Sequence, residues 1–210
     1  MLLTGGASTR MGTDKASLPV RGVPMATRLG RLLAGVCGPA VEVGPGHSEL
    51  PAVVEPTPGQ GPLTAIVAGA AALRAAGWWG PVVVIACDLP LLTDPALRLV
   101  ATWPGEGAAV PLVGGRRQPL CARWAPEDLL AARQRAAAGR RSLGDLPGAG
   151  PTSLLTPEEW GAVASGSAFA DADDPPALLR LLAEGGADGV QRSVSSCASR
   201  VRGTGERSAG

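Results

Sequence analysis

The chain has 210 residues, 45% of them hydrophobic, and a formal net charge of +1. That length can bury a substantial core and sits at the upper end for one compact domain, while the near-neutral charge argues against nucleic acid or an acidic membrane as partner. The sole histidine, His47, excludes histidine clusters and multi-imidazole metal sites.

Residues 1–4 predict a short apolar strand, and Pro24 to Val36 shows helical spacing through Met25, Leu29, Leu32 and Leu33. Val41 to Val43 and Val53 to Val54 are short strand candidates. Gly61 and Pro62 open an alanine-rich helix, with proline where its missing N–H costs nothing, and Gly77 can close it. Trp78 and Trp79 follow, expected to pack against the sheet edge. The run "PVVVIACD", 81–88, is the β-branched pattern of a strand buried on both faces of a parallel sheet. Asp94 and Pro95 predict an N-cap and first turn. "AAVPLV" and "RQPLCARW", joined by Gly114 and Gly115, predict an antiparallel hairpin. Glu127 to Ala138 and Pro175 to Ala183 are predicted helices. Strands alternating with helical segments predict βαβ units and hence a doubly wound α/β sheet. The expected organisation is one domain over 1–186 and a disordered tail over 187–210, rich in Ser, Gly and Arg.

Cys37, Cys87, Cys121 and Cys197 lie far apart without paired spacing and read as reduced thiols rather than zinc ligands or disulfide staples. Gly5 and Gly6 interrupt the opening before a signal-peptide core can form, and no apolar run reaches the ~18 residues of a membrane span. The expectation is a soluble, cytoplasmic protein without membrane contact.

The opening "LLTGGASTRMGTDK", 2–15, carries the chemistry. A strand running into a glycine-rich turn presents backbone N–H groups at the carboxyl end of a sheet, where oxyanions bind. Arg10 and Lys15 would add cationic charge suited to a triphosphate. Lys15 is the sole lysine among 19 basic residues, which argues against its being surface filler. The P-loop spacing fails, since Lys15 follows Gly12 by three with no hydroxyl after it, and the dinucleotide fingerprint is missing. Asp88, directly after the buried strand, should emerge on the same rim. One carboxylate with substrate phosphates is how magnesium is usually held, and capping suits Asp88 poorly because the next helix begins near Asp94.

The spacing G-G-x-S-x-R-M-G-x-D-K, met by Gly5, Gly6, Ser8, Arg10, Met11, Gly12, Asp14 and Lys15, resembles the signature of molybdenum cofactor guanylyltransferases, within the nucleotidyltransferase superfamily. "GQGPLTAI" at 59–66, "CDLPLL" at 87–92, "RQPLCARW" at 117–124 and "FADADDPPAL" at 169–178 are similar to further family segments in the same order. The resemblance implies a three-layer Rossmann-like fold: a mostly parallel sheet with helices on both faces and a small antiparallel element. It implies transfer of GMP from GTP to the phosphate of molybdopterin, with release of pyrophosphate. Lys15 would contact phosphate, Arg10 would neutralise pyrophosphate, and Asp88 would hold Mg²⁺. Leu3, Thr4, Gly5, Gly6 and Glu55 would line the nucleotide site. A family asparagine after the second strand is replaced near Val43 or Gly44. Asp171 and Asp173 stand where the family has asparagines, as metal ligands, pterin contacts or turn formers. Asp14 beside Lys15 favours guanine. Arg116, Arg117, Arg140 and Arg141 could receive an acceptor phosphate or form a solvated face, and His47 reads as a surface residue. Transient contact with molybdoenzymes or cofactor-delivery proteins is a further expectation. The alternatives are a cytidylyl or sugar-phosphate nucleotidylyltransferase, or a non-catalytic accessory protein that binds nucleotide or cofactor.

Overall fold

The computed structural model describes residues 1–5, 15–57, 59–172, 174 and 176–183. Gly6, Ser8, Arg10, Met11, Gly12, Asp14, Asp173 and the tail 187–210 lie outside the described residues.

The strands are β1 Leu2–Leu3, β2 Pro19–Val20, β3 Val23–Pro24, β4 Glu42–Val43, β5 Ala52–Val53, β6 Val82–Ala86, β7 Ala108–Val113, β8 Arg116–Arg117, β9 Cys121–Trp124 and β10 Thr152–Leu155. The α-helices are α1 Met25–Val36, α2 Pro62–Ala75, α3 Asp94–Thr102, α4 Pro126–Ala137, α5 Pro157–Trp160 and α6, 176–183. The main sheet runs β10-β7-β9-β6-β1-β4-β5, with β8 beside β7, while β2 and β3 form a separate hairpin. The neighbours of β1 on both sides, β4 and β6, are parallel to it, as are the pairs β4–β5 and β7–β10. Antiparallel in the main sheet are β9, which runs against both β6 and β7, and β8, which runs against β7.

The period of two in β6 divides the interior. Val83 and Ile85 join the core under α1 and α3, with Leu29, Leu33, Leu97, Val100 and Phe169. Val82 and Val84 point the other way, into the core under α2 and α4, with Leu63, Ile66, Leu73, Trp124 and Leu129. These are the three expected layers, with every β6 side chain from Val82 to Ile85 buried. Helix α2 comes close to the sheet at Gly69, where a Cβ would lie 2.7 Å from both Met1 Sδ and Val43 Cγ2.

Three expectations need correction. The cap of α3 is Thr93, whose Oγ1 accepts from Ala96 N at 3.4 Å. Asp94 is instead the first helical residue, paired with Arg98 at 2.7 Å, because the chain turns helical one residue earlier than the Asp-Pro pair suggests. Trp79 does not pack against the sheet edge. Trp79 is 71% exposed with the Arg74 guanidinium 5.6 Å from its ring centre, and Trp78 donates to Pro81 O at 3.0 Å. The predicted antiparallel hairpin forms: Gly114 and Gly115 join β7 to β8, and β9 continues antiparallel to β7 at Ala109–Arg123. His47 is half-buried, its N–H held by Glu42. The unforeseen β10 and its partner β7 are steered by buried Asp128, which accepts from Ala125 N at the start of α4 and from Gly148 N and Ala149 N just ahead of β10.

Candidate active site

Four parallel strands deliver their carboxyl ends to one rim, and backbone hydrogen bonds hold those ends in line. Cys87 N donates to Leu3 O at 3.0 Å, Thr4 N to Val43 O at 3.0 Å, and Gly44 N to Val53 O at 2.9 Å. The residues that follow are therefore neighbours across the rim: Asp88 after β6, Thr4 and Gly5 after β1, Gly44 after β4, and Glu55 after β5. This is the edge where open α/β sheets bind ligands.

Lys15 returns to that rim at the start of a single 3₁₀ turn, Lys15–Ser17. Fully buried Ala16 anchors the turn in the core under α1. Lys15 Nζ then lies 3.6 Å from Asp88 Oδ2, with side-chain exposures of 14% and 26%. An ammonium and a carboxylate at that separation, both largely covered yet each still reached by solvent, can exchange their mutual attraction for a polyanion and its cation.

The late segment also reaches this point. Ala172 N donates to Asp88 O at 2.8 Å, and buried Phe169 holds the chain just before it, its ring 5.7 Å from Trp160. Asp171 is thereby carried beside Asp88, with its own side chain exposed. Among the described residues no group of three His, Cys, Asp or Glu side chains converges as a ready metal cage. A single partly exposed carboxylate nevertheless fits magnesium, which keeps water and phosphate oxygens as its remaining ligands.

On the other side of β1, Glu55 is 8% exposed, and Thr64 Oγ1 donates to its Oε2 at 2.7 Å. A Cβ built on Gly5 would lie 3.5 Å from Glu55 Oε1, so Glu55 flanks the opening of the glycine loop. A cavity of about 690 Å³ begins there and runs between Val53, Val67, Ala68 and Ala136. Leu3 and Thr4 are both buried, and the Thr4 hydroxyl is donated to Glu42, leaving exposed Gly5 as the rim group of that strand. The paired arginines do not form one site: Arg117 is bound to Asp145 O and Pro147 O, and Arg116, Arg140 and Arg141 are exposed.

Sequence reasoning missed Glu42, a fully buried carboxylate beside Thr4. Its one signal was an acid inside the apolar "VEV" of a predicted strand. Burial opposes its ionisation, but hydrogen bonds from the Ser48 and Thr4 side chains and from His47 N and Ser48 N outweigh burial and hold its pKa at about 2.

The family model of the MobA-like NTP transferase domain matches residues 1–149. The chain belongs to the MobA-like NTP transferase family. A relative from Chloroflexus aggregans, named probable molybdenum cofactor guanylyltransferase, is 32% identical over 155 residues, which are 68% of this chain and 73% of that one. A molybdenum cofactor guanylyltransferase from Cereibacter sphaeroides is 41% identical over 147 residues, 62% of this chain and 72% of that one. The match to a probable molybdenum cofactor guanylyltransferase of Synechococcus elongatus is 35% identical over 108 residues, 47% of this chain, and spans about half of the relative, 54%. Among solved structures, molybdopterin-guanine dinucleotide biosynthesis protein A from Archaeoglobus fulgidus superposes with a TM-score of 0.66 at 20% identity, covering 86% of this chain and 94% of that one. The 2-C-methyl-D-erythritol 4-phosphate cytidylyltransferase of Thermus thermophilus gives 0.57 at 18% identity, with 88% and 97% covered. Both structures share the fold of this MobA-like domain, with its mostly parallel sheet. Among the described residues no helix is long and apolar enough to cross a membrane.

Proposed function

We propose that this MobA-like protein transfers GMP from GTP to the terminal phosphate of molybdopterin, releasing pyrophosphate, in the biosynthesis of the molybdenum cofactor. The observation that carries the reading is the approach of Lys15 to Asp88 at 3.6 Å on the carboxyl rim, because the transfer needs a cation and a metal-holding carboxylate to meet at one triphosphate.

In the proposed reaction an oxygen of the acceptor phosphate forms a bond to the α-phosphorus of GTP while the bond from that phosphorus to the bridging oxygen breaks in line. Pyrophosphate leaves with the electron pair. A phosphate monoester carries much of its second charge at neutral pH, so the nucleophile needs little general-base help. That suits a chain with one histidine, and it leaves catalysis to positioning and charge neutralisation. Lys15 and Arg10 would bind the triphosphate oxygens, Gly5 and Gly6 would offer backbone N–H groups, and Asp88 with Asp171 would face the metal. Magnesium would supply charge neutralisation between the phosphates. Glu55 would meet the nucleoside end. Guanine is the favoured base from Asp14 beside Lys15, and the named relatives support it.

Pyrophosphate release with GTP, CTP, ATP and UTP, each with and without molybdopterin and magnesium, tests the reading. Release that requires GTP, acceptor and metal together is expected. Equal use of CTP overturns the guanine assignment, and nucleotide binding without release in any mixture overturns the transferase.

A further inference from the structure

Of the two residues of β4, Val43 packs into the core beneath α2, while Glu42 faces the opposite side and is fully buried. A charge there is costly unless every oxygen is met by a donor, and apolar side chains could fill the same space without that cost. Here both oxygens are met. Oε1 accepts from Thr4 Oγ1 at 2.5 Å, Gly46 N at 3.0 Å and His47 N at 2.8 Å. Oε2 accepts from Ser48 N at 2.7 Å and Ser48 Oγ at 2.6 Å. The carboxylate thus winds three consecutive backbone N–H groups inward and ties them to the first residue after β1.

That arrangement shapes the rim. With the 46–48 amides turned toward Glu42, they are withheld from any ligand, and buried Gly44 packs behind exposed Gly5 at the end of β1 instead. The Thr4 hydroxyl fills the place a side chain at 44 would take: a Cβ on Gly44 would lie 2.0 Å from Thr4 Oγ1 and 2.9 Å from Gly5 N. Gly44 Cα in turn lies 3.9 Å from a Cβ built on Gly5, the same position that faces Glu55 Oε1 at 3.5 Å. Moving Thr4 or the 44–48 loop therefore moves the backbone between Gly5 and Glu55.

We infer that Glu42 is a positioning residue for nucleotide binding, acting through Thr4 and the 44–48 loop to fix the Gly5 backbone opposite Glu55. The inference rests on the nucleotide-site reading above. Glu42 itself touches no substrate, since it is fully buried and both oxygens are engaged.

The test measures GTP affinity by calorimetry, GTP KM, kcat and Tm for the wild-type chain and for E42Q, S48A and D128N. E42Q keeps the shape but turns an amide N–H₂ toward groups that are themselves donors. It is expected to raise GTP Kd and KM about 10-fold, with kcat per folded enzyme changed by less than about 3-fold. S48A, which removes one donor and keeps the backbone contacts, should raise both about 3-fold, and it carries the test should E42Q fail to fold. D128N is the control: Asp128 is likewise buried and bound by backbone N–H groups, but it lies near Trp124, which pairs with Val82 at the opposite end of β6 from the rim. It should lower Tm and leave GTP KM unchanged. Loss of Tm in E42Q or S48A with wild-type Kd and KM for GTP overturns the inference. Failure of the wild-type chain to bind GTP would instead remove the nucleotide site itself, and the inference with it.

Discussion

Lys15 Nζ and Asp88 Oδ2 stand 3.6 Å apart, although one belongs to the turn after the glycine loop and the other ends the central strand β6. A pair set on one rim of a parallel sheet, with 14% and 26% of the side chains exposed, is placed to separate around a ligand. In the proposed reaction the lysine then faces phosphate and the carboxylate faces metal. Asp88→Ala should lower turnover by about 10²–10³-fold, the usual loss when one electrostatic contact to a transition state is removed, with Tm within a few degrees of wild type. Pyrophosphate-release assays and thermal melts check both halves. Wild-type turnover in the variant would remove Asp88 from the mechanism.

Lys15→Arg separates charge from shape. Guanidinium is a planar fork where ammonium is a compact point charge, and the site is narrow enough to leave Lys15 only 14% exposed. The expected outcome is a raised GTP KM with kcat lowered about 10-fold, while Lys15→Ala loses about 10²-fold in kcat/KM. Steady-state kinetics over a GTP series reads the difference: wild-type behaviour of Lys15→Arg would mean that charge alone matters, and a loss equal to that of Lys15→Ala would mean that the retained charge is no substitute for the lysine's shape.

Acid stability should carry the signature of Glu42. Hydrogen bonds hold its folded pKa at about 2, below the ordinary glutamate value of 4.5, so its contribution is fully present above pH ~4.5 and is lost as pH falls toward 2. The linkage is worth on the order of 3 kcal/mol. Urea melts from pH 7 down to pH 2 should show the wild-type chain losing that increment between pH ~4.5 and 2, with a shallower loss in Glu42→Gln. Parallel curves for the two would show that Glu42 does not ionise as described.

Asp128 holds α4 to the segment that feeds β10, through Ala125 N at 3.0 Å and Gly148 N and Ala149 N at 2.7 Å each. Asp128→Ala leaves three inward backbone donors without this acceptor, and a loss of about 2–4 kcal/mol is expected. Chemical denaturation measures it. Hydrogen exchange should show faster opening at Thr152–Leu155 than at Val82–Ala86.

The layers were legible because the strongest signals were the physically simplest ones. The β-branched run of β6 sends alternate side chains to two cores, and the amphipathic spacing of α1 buries Met25, Leu29 and Leu33. Asp88 was legible for the same reason, as the first acid after an all-apolar strand. What the sequence hid depends on partners distant along the chain. Thr152–Leu155 carries little alternation of its own and becomes a strand because β7 offers it a parallel edge. Trp78 and Trp79 look like core residues by composition, yet the chain leaves α2 by a turn at Ala76 and Gly77 that keeps them at the surface. The role of Glu42 is written in donors from Thr4 and from 46–48, which no local pattern announces. Arg10 and Gly6 fall outside the described residues, so the glycine loop stands on its spacing.

The most direct test of the central claim is a crystal structure of the chain with GTP and Mn²⁺, which replaces magnesium and is located by its anomalous scattering. The account predicts a metal peak ~2.1 Å from an Asp88 carboxylate oxygen, bridging to phosphate oxygens that Lys15 Nζ also meets at hydrogen-bond distance. A metal bound elsewhere, or a triphosphate seated away from both Lys15 and Asp88, would contradict it.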